Sequence, residues 1–349
     1  MKHKESLEKI LEREWGWHKS RLGFAACLML SLVQQKTVNM VSLSLGFGST
    51  AQPSSTYRRI QRFFQGFYFS HTQVSLLILK LLPEPPYTLC LDRTNWQFGK
   101  FKINILMLSI AHQGLAFPIC WQLLAKKGNS NTKERKQLLT TFLELVPLQH
   151  IDMLVADREF VGKDWFAYLN AIKMPFVIRI RQNALADGWL SIVTFFQSLP
   201  QGESKLLQHR YCIFGTQLSI CGMRLKNDYL ILVTNRNAKQ ALASYKRRWE
   251  IEMLFAAMKT TGFDLESTHL TCAKRIDKLL AFVCLAITWA HSVGEWLHRT
   301  NKKPLALKAH GRRAKTFFRH GLDYLRALLC NPLAPSSKLL ECVNLLSCT

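Results

Sequence analysis

Apolar residues in the first 82 positions recur with the spacing of one helical face. The pattern predicts a helix around 5–15, an apolar one around 22–34, and a third opening at Ser54-Ser55 and running through Tyr57-Arg-Arg-Ile-Gln-Arg-Phe-Phe64. In the third, Ile60, Phe63 and Phe64 share an inward face, Arg58, Arg59 and Arg62 can face a phosphate backbone, and Pro53-Ser-Ser is read as the N-cap. After Pro83-Glu-Pro-Pro86 the period changes. Apolar runs predict strands over 87–91, 101–111 and 116–124, a helix over 132–146 ended by Pro147, a strand over 151–156, a helix over 162–171 and a strand over 175–180.

Three strands, a helix, a strand, a helix and a strand is the element order of a ribonuclease H-like sheet. From 183 to 235 the runs are short, at 206–214, 217–225 and 229–233, with turns at Gly215-Thr216 and Lys226-Asn-Asp228. They predict an inserted β domain. The apolar runs 22–33 and 279–293 are shorter than a membrane span requires and are read as buried helices, and 305–309 and 314–329 as basic helices. The expected fold is α/β, a ribonuclease H-like core interrupted by a β domain, with helical ends. Its divisions are a helical DNA-binding domain at 1–82, core at 83–182, insertion at 183–235, core again at 236–300 and a helical region at 301–349.

Charge narrows the partner. Lys plus Arg number 47 against 23 Asp plus Glu, a formal net charge of +24. Such an excess implies a polyanion, usually nucleic acid. Clusters at Arg58-Arg59, Lys246-Arg247-Arg248, Lys302-Lys303 and Arg312-Arg313-Ala-Lys315 spread it along the chain. The ten cysteines lack metal-ligand spacing and several sit in apolar runs, so they are read as reduced thiols of a cytoplasmic protein. The N-terminus alternates charge and lacks the order of a signal peptide. His112, His150, His269 and His291 show no ligand spacing and are read as core or surface residues, and no P-loop is found.

The densest chemistry lies in Tyr245-Lys-Arg-Arg-Trp-Glu-Ile-Glu252-Met-Leu-Phe-Ala-Ala-Met-Lys259. On one continuous helix, Tyr245, Arg248, Glu252 and Lys259 would share an arc of roughly 60°. Asp92 and Asp157 each directly follow an apolar strand run. Either alone reads equally as a turn residue. Together with Glu252 they form a possible two-metal site for attack on phosphorus.

Tyr-x2-Arg-x3-Glu-x6-Lys, with Asp92-Arg-Thr94 and Asp157-Arg-Glu-Phe160, resembles the DDE transposases of bacterial insertion sequences, specifically the IS-four family. Trp249 and Asp264-Leu-Glu-Ser-Thr-His-Leu270 continue the resemblance, which covers roughly 55–325. It implies cut-and-paste transposition through a hairpin intermediate. Asp92, Asp157 and Glu252 would hold two Mg²⁺ ions, with Mn²⁺ able to substitute, while Tyr245, Arg248, Trp249 and Lys259 would contact DNA. Trp189, in the predicted insertion, would be the aromatic that stacks on a flipped base, or else packs the insertion onto the sheet. The implied partners are terminal repeats and target DNA, bound by a homodimer, with no membrane, in the bacterial cytoplasm at the nucleoid. The competing reading is a catalytically inactive DNA-binding repressor or inhibitor derived from a transposase.

Overall fold

Among the described residues, five helices precede the first strand: α1 (Lys2–Trp15), α2 (Lys19–Gln35), α3 (Met40–Leu45), α4 (Pro53–Gly66) and α5 (His71–Lys80). The structure is a computed structural model in which residues 2–48, 51–309, 311 and 313–347 are described. Arg312 of the C-terminal basic cluster, and Cys348, lie outside the described residues. The Asn39 side chain accepts from the Val41 and Ser42 N–H groups and starts α3. In α4 the expected serine cap is replaced. Gln52 is the N-cap with no side-chain bond, and Pro53 takes the first turn, where a missing N–H costs nothing. Ile60, Phe63 and Phe64 are buried, while Arg58, Arg59 and Arg62 are exposed. Residues 46–52 join α3 to α4, a longer connection than the three or four residues of a helix-turn-helix.

Strands β1 (Tyr87–Phe98), β2 (Phe101–His112) and β3 (Leu115–Leu123) form an antiparallel meander. β1 runs seven residues beyond the predicted end at 91, because pairing with β2 carries the polar segment after Leu91 onward to Phe98. Asn131 and Glu134 form a reciprocal capping box that starts α6 (Thr132–Leu143). The chain returns as β4 (Ile151–Ala156), parallel to β1, then passes through α7 (Lys163–Ala171) to β5 (Phe176–Ile180), parallel to β4.

A hairpin of β6 (Leu185–Ala186) and β7 (Leu190–Ser191) follows, then β8 (Ser204–Leu206), β9 (Tyr211–Ile213), β10 (Thr216–Arg224) and β11 (Tyr229–Thr234). The main sheet runs β3-β2-β1-β4-β5-β11-β10-β8, with β9 pairing β10. Here the segment expected as a separate β domain behaves differently. β11 pairs antiparallel with β5, so most of 183–235 prolongs the central sheet, and buried Ile231, Leu232 and Val233 belong to its core.

The chain then forms α8 (Ala241–Lys246), α9 (Trp249–Met258), α10 (Ala273–Arg299), α11 (Phe317–Cys330) and α12 (Ser336–Asn344). α10 is long and apolar enough to cross a membrane, yet 83% of its apolar window is buried in protein. It packs on β3, α2, α4, α5, α9 and α11, while α1 packs on α12. The helices at the two chain ends therefore share one core around α10. Gly294 and Gly321 permit the α10–α11 contact, since an added Cβ at either would overlap a backbone carbonyl of the other helix. No helix forms over 305–309, where Leu307 bridges to Arg313 as an isolated β-pair. The nine described cysteines form no disulfide.

Candidate active site

Leu91 lies opposite Ala156 in the parallel β1–β4 pair, so the next residue of each strand, Asp92 and Asp157, emerges beside the other. This is the carboxyl edge of the parallel strands, where open α/β sheets place ligands. Asp157 occupies the tight turn after β4, closed by the Phe160 N–H donating to its carbonyl at 2.9 Å. Arg135 of α6 fixes that turn from beneath, donating to the Glu159 carbonyl at 2.9 Å and the Val161 carbonyl at 3.3 Å. Asp92 departs from expectation in lying within a strand instead of at its end.

The single helix expected over 245–259 is two helices. At the junction the Arg248, Glu250 and Ile251 N–H groups each donate to the carbonyl three residues back, at 3.0, 3.0 and 3.1 Å, which tightens the backbone. Lys259 lies past the end of α9 as its C-cap. The four signature residues consequently make no solvent-facing stripe. They fasten α8 and α9 to the acids. The buried Tyr245 hydroxyl donates to Asp157 Oδ1 at 3.3 Å. Arg248 Nη1 donates to Asp92 Oδ2 at 3.2 Å, and its Nη2 to Glu252 Oε1. Lys259 Nζ donates to the Asn95 carbonyl at 2.9 Å, three residues beyond Asp92, and pairs with Glu266 at 3.0 Å.

Two further arginines position the site and were missed in the sequence. Arg93 forks onto Glu159 at 3.2 and 3.1 Å, clamping the Asp92 strand to the Asp157 turn. The available signal was adjacency, since Arg93 directly follows one acid and Glu159 lies two residues past the other. Arg247 faces away from the acids, donating to Thr88 Oγ1 at 2.9 Å and the Ala111 carbonyl at 2.5 Å. The signature spacing singles out Arg248, but no local pattern shows that Arg247 ties α8 to the ends of β1 and β2.

Burial pushes the Asp92 carboxyl up to about 6, against the Arg93 N–H at 2.7 Å and Arg248, which favour the carboxylate. Burial also raises the Tyr245 phenol far above its ordinary range, so it remains a hydrogen-bond donor. Burial disfavours charge on Arg248, but Tyr245, Asp92, Asp157 and Glu252 outweigh it and the guanidinium stays charged. Three carboxylates thus converge on one fixed cation.

Residues 83–289 match the family model described as the transposase DDE domain. The chain belongs to that family of DDE transposases. Domains of this family generally use divalent metal. No curated protein matches the chain. Among solved structures, a piggyBac transposase synaptic complex with hairpin DNA, determined by cryo-EM, is 14% identical, with 94% of this chain and 76% of that chain covered and a TM-score of 0.47.

The remaining expected DNA contacts of this DDE transposase are dispersed. Trp249, at the start of α9, is 60% exposed. Trp189 is 75% exposed in the β6–β7 turn, where Asp187 and Gly188 adopt positive φ, so packing the insertion onto the sheet is not its role. Because that hairpin follows the carboxyl end of β5, it lies on the same sheet edge as the acids. Arg58, Arg59 and Arg62 face outward on α4, and no described hydrogen bond or ion pair joins them to the acids. His291 is a core residue, 1% exposed, as read from the sequence. His112 and His291, which show no ligand spacing in the sequence, gather with Glu295 so that one ligand atom from each lies within 4.8 Å of the others. The end of β2 reaches α10 at this point, which residue spacing could not reveal.

Proposed function

We propose that this protein is a DNA transposase that cuts and joins the ends of an insertion sequence, with Asp92, Asp157 and Glu252 as its catalytic acids. The observation that carries the reading is the Arg248 guanidinium joining Asp92 to Glu252, while Asp157 stands beside Asp92 on the neighbouring parallel strand. The order β3-β2-β1-β4-β5 with β4 and β5 parallel to β1 supports a ribonuclease H-like core. The resemblance to the IS-four family extends the proposal to cut-and-paste transposition through a hairpin.

The donor set fits hard divalent ions. All three side chains offer oxygen, which suits Mg²⁺ or Mn²⁺, and when ionised they outnumber the Arg248 charge. The high proton affinity of Asp92 belongs to a buried carboxylate with too little positive charge around it. Asp92, Asp157 and Glu252 would hold two ions, which supply charge stabilisation on phosphate oxygens and a more acidic attacking water or hydroxyl. Tyr245 orients Asp157 through its hydroxyl, and Arg248 spaces Asp92 from Glu252. Exposed Trp249 and Trp189 are proposed to stack on bases, and Arg58, Arg59 and Arg62 to grip phosphates of the terminal repeats. The proposed setting is the bacterial cytoplasm, on the nucleoid.

Asp157→Asn tests this directly. The amide oxygen can still accept from Tyr245, so the fold and DNA binding are expected to persist, while Mg²⁺-dependent cleavage of DNA carrying the element's own ends falls by at least about a thousandfold. Cleavage at the normal rate would overturn the catalytic assignment. Equal loss of binding and cleavage would assign Asp157 to folding.

A further inference from the structure

A second cluster of ligand-type side chains lies at the C-terminal end of β2, away from the acids. His112 is the last residue of β2, five residues past Met107, which pairs with Asp92, so about 17 Å of strand separates it from the acid site. His291 and Glu295 lie four apart on α10 and share one face of that helix. His112 Nε2 stands 2.7 Å from Glu295 Oε2, while Arg299 donates to Glu295 Oε1 at 3.4 Å and leaves Oε2 directed at the histidines. His291 is 1% exposed, and neither of its ring nitrogens has a hydrogen-bond partner among the described residues. Its ring meets Phe117 and Phe317 edge-on, at 5.2 and 5.7 Å between centroids.

A buried polar atom without a partner costs about 1–3 kcal/mol. Two such atoms on one imidazole, beside a second histidine and a carboxylate, call for a bound species. The three ligand atoms already lie within 4.8 Å of one another. Ligands of a tetrahedral ion at about 2.0–2.2 Å stand roughly 3.5 Å apart, so closure needs only side-chain adjustments of about 1 Å.

We propose that His112, His291 and Glu295 form a binding site for one borderline divalent transition-metal ion of the Zn²⁺ class, separate from the three-acid site. Two imidazole nitrogens and one carboxylate oxygen select such an ion over Mg²⁺, which takes oxygen ligands and gives up water reluctantly. Bound there, the ion joins the end of β2 to the C-terminal part of α10 and stiffens the seam between sheet and central helix. This proposal is independent of the catalytic reading.

The test is Co²⁺ titration of the full-length, chelator-treated protein, read by the visible absorption of tetrahedral cobalt. Expected are one such ion per chain, retention of the band in Asp92→Asn/Asp157→Asn, displacement by stoichiometric Zn²⁺, and no displacement by excess Mg²⁺. His291→Phe, which suits the aromatic surroundings, and Glu295→Gln should each weaken Co²⁺ binding at least about tenfold with unchanged circular dichroism. Should His291→Phe fail to fold, Glu295→Gln and His112→Gln decide by the same criterion. Absence of the band in the unsubstituted protein would overturn the proposal, as would a band lost with the acids but kept in these variants. Water filling the cluster would give the first of those results.

Discussion

Asp92 is more deeply constrained than its place in a sequence motif conveys. Its carboxyl is pushed up to about 6 by burial, above the roughly 3.9 of an unfolded chain. Between those values the folded state holds more protons, so the Asp92 contribution to stability falls as pH rises from about 4 to about 6. Above that range the buried carboxylate costs on the order of 3 kcal/mol. Asp92→Asn removes this cost but strands part of Arg248. The variant is therefore expected to exceed the unsubstituted protein by about 1–2 kcal/mol at pH 7, with the advantage gone near pH 4. Urea unfolding across that range checks it, and a pH-independent difference would contradict the assigned burial. At this scale the three acids and the Tyr-Arg-Glu-Lys spacing were legible because they are fixed short-range patterns. The Arg93–Glu159 clamp was not, because one partner lies in β1 and the other in the turn after β4, 66 residues away.

Among the elements, helices and buried strands followed from apolar periodicity, and their limits failed where tertiary contacts took over. β1 continues through polar Asp92-Arg-Thr-Asn95 because β2 supplies a ladder, and the 245–259 helix breaks at a junction where Arg247 bonds the Ala111 carbonyl and Arg248 bonds Asp92. The α10–α11 contact belongs to this scale too. Gly294 and Gly321 lie where any Cβ would collide with backbone of the facing helix, which cannot yield as a flexible side chain would. Gly294→Ala and Gly321→Ala are each expected to cost about 3 kcal/mol, although alanine favours helix by about 1 kcal/mol. A denaturation midpoint equal to or above that of the unsubstituted protein would show that the helices can separate without cost.

For the whole molecule, the +24 charge predicts strongly salt-dependent DNA binding. If Arg58, Arg59 and Arg62 each neutralise a phosphate, replacing all three with Ala should lower the slope of log affinity against log salt by nearly 3. An unchanged slope would remove α4 from the interface. Joining two element ends to one target requires two active sites, and each chain brings one set of acids. The working species is therefore expected to be a dimer on paired ends. Mixing Asp92→Asn protein with the triple-arginine variant should restore cleavage if each protomer cuts the end gripped by its partner. Full-rate cutting of one end by one chain in a sized complex would contradict this.

Sequence alone indicated most of the helices and buried strands, and it marked three acids as candidates for phosphoryl transfer and an excess of positive charge that suits an anionic partner. These properties depend on composition, periodicity and spacing over a few turns. Tertiary structure decided that Asp92 and Glu252, 160 residues apart, meet through Arg248, and that β11 continues the sheet beside β5. It also brought His112 to His291 and Glu295. Each depends on which strand edge or helix face finds its partner across the core, a choice made by packing and pairing between segments far apart in the chain.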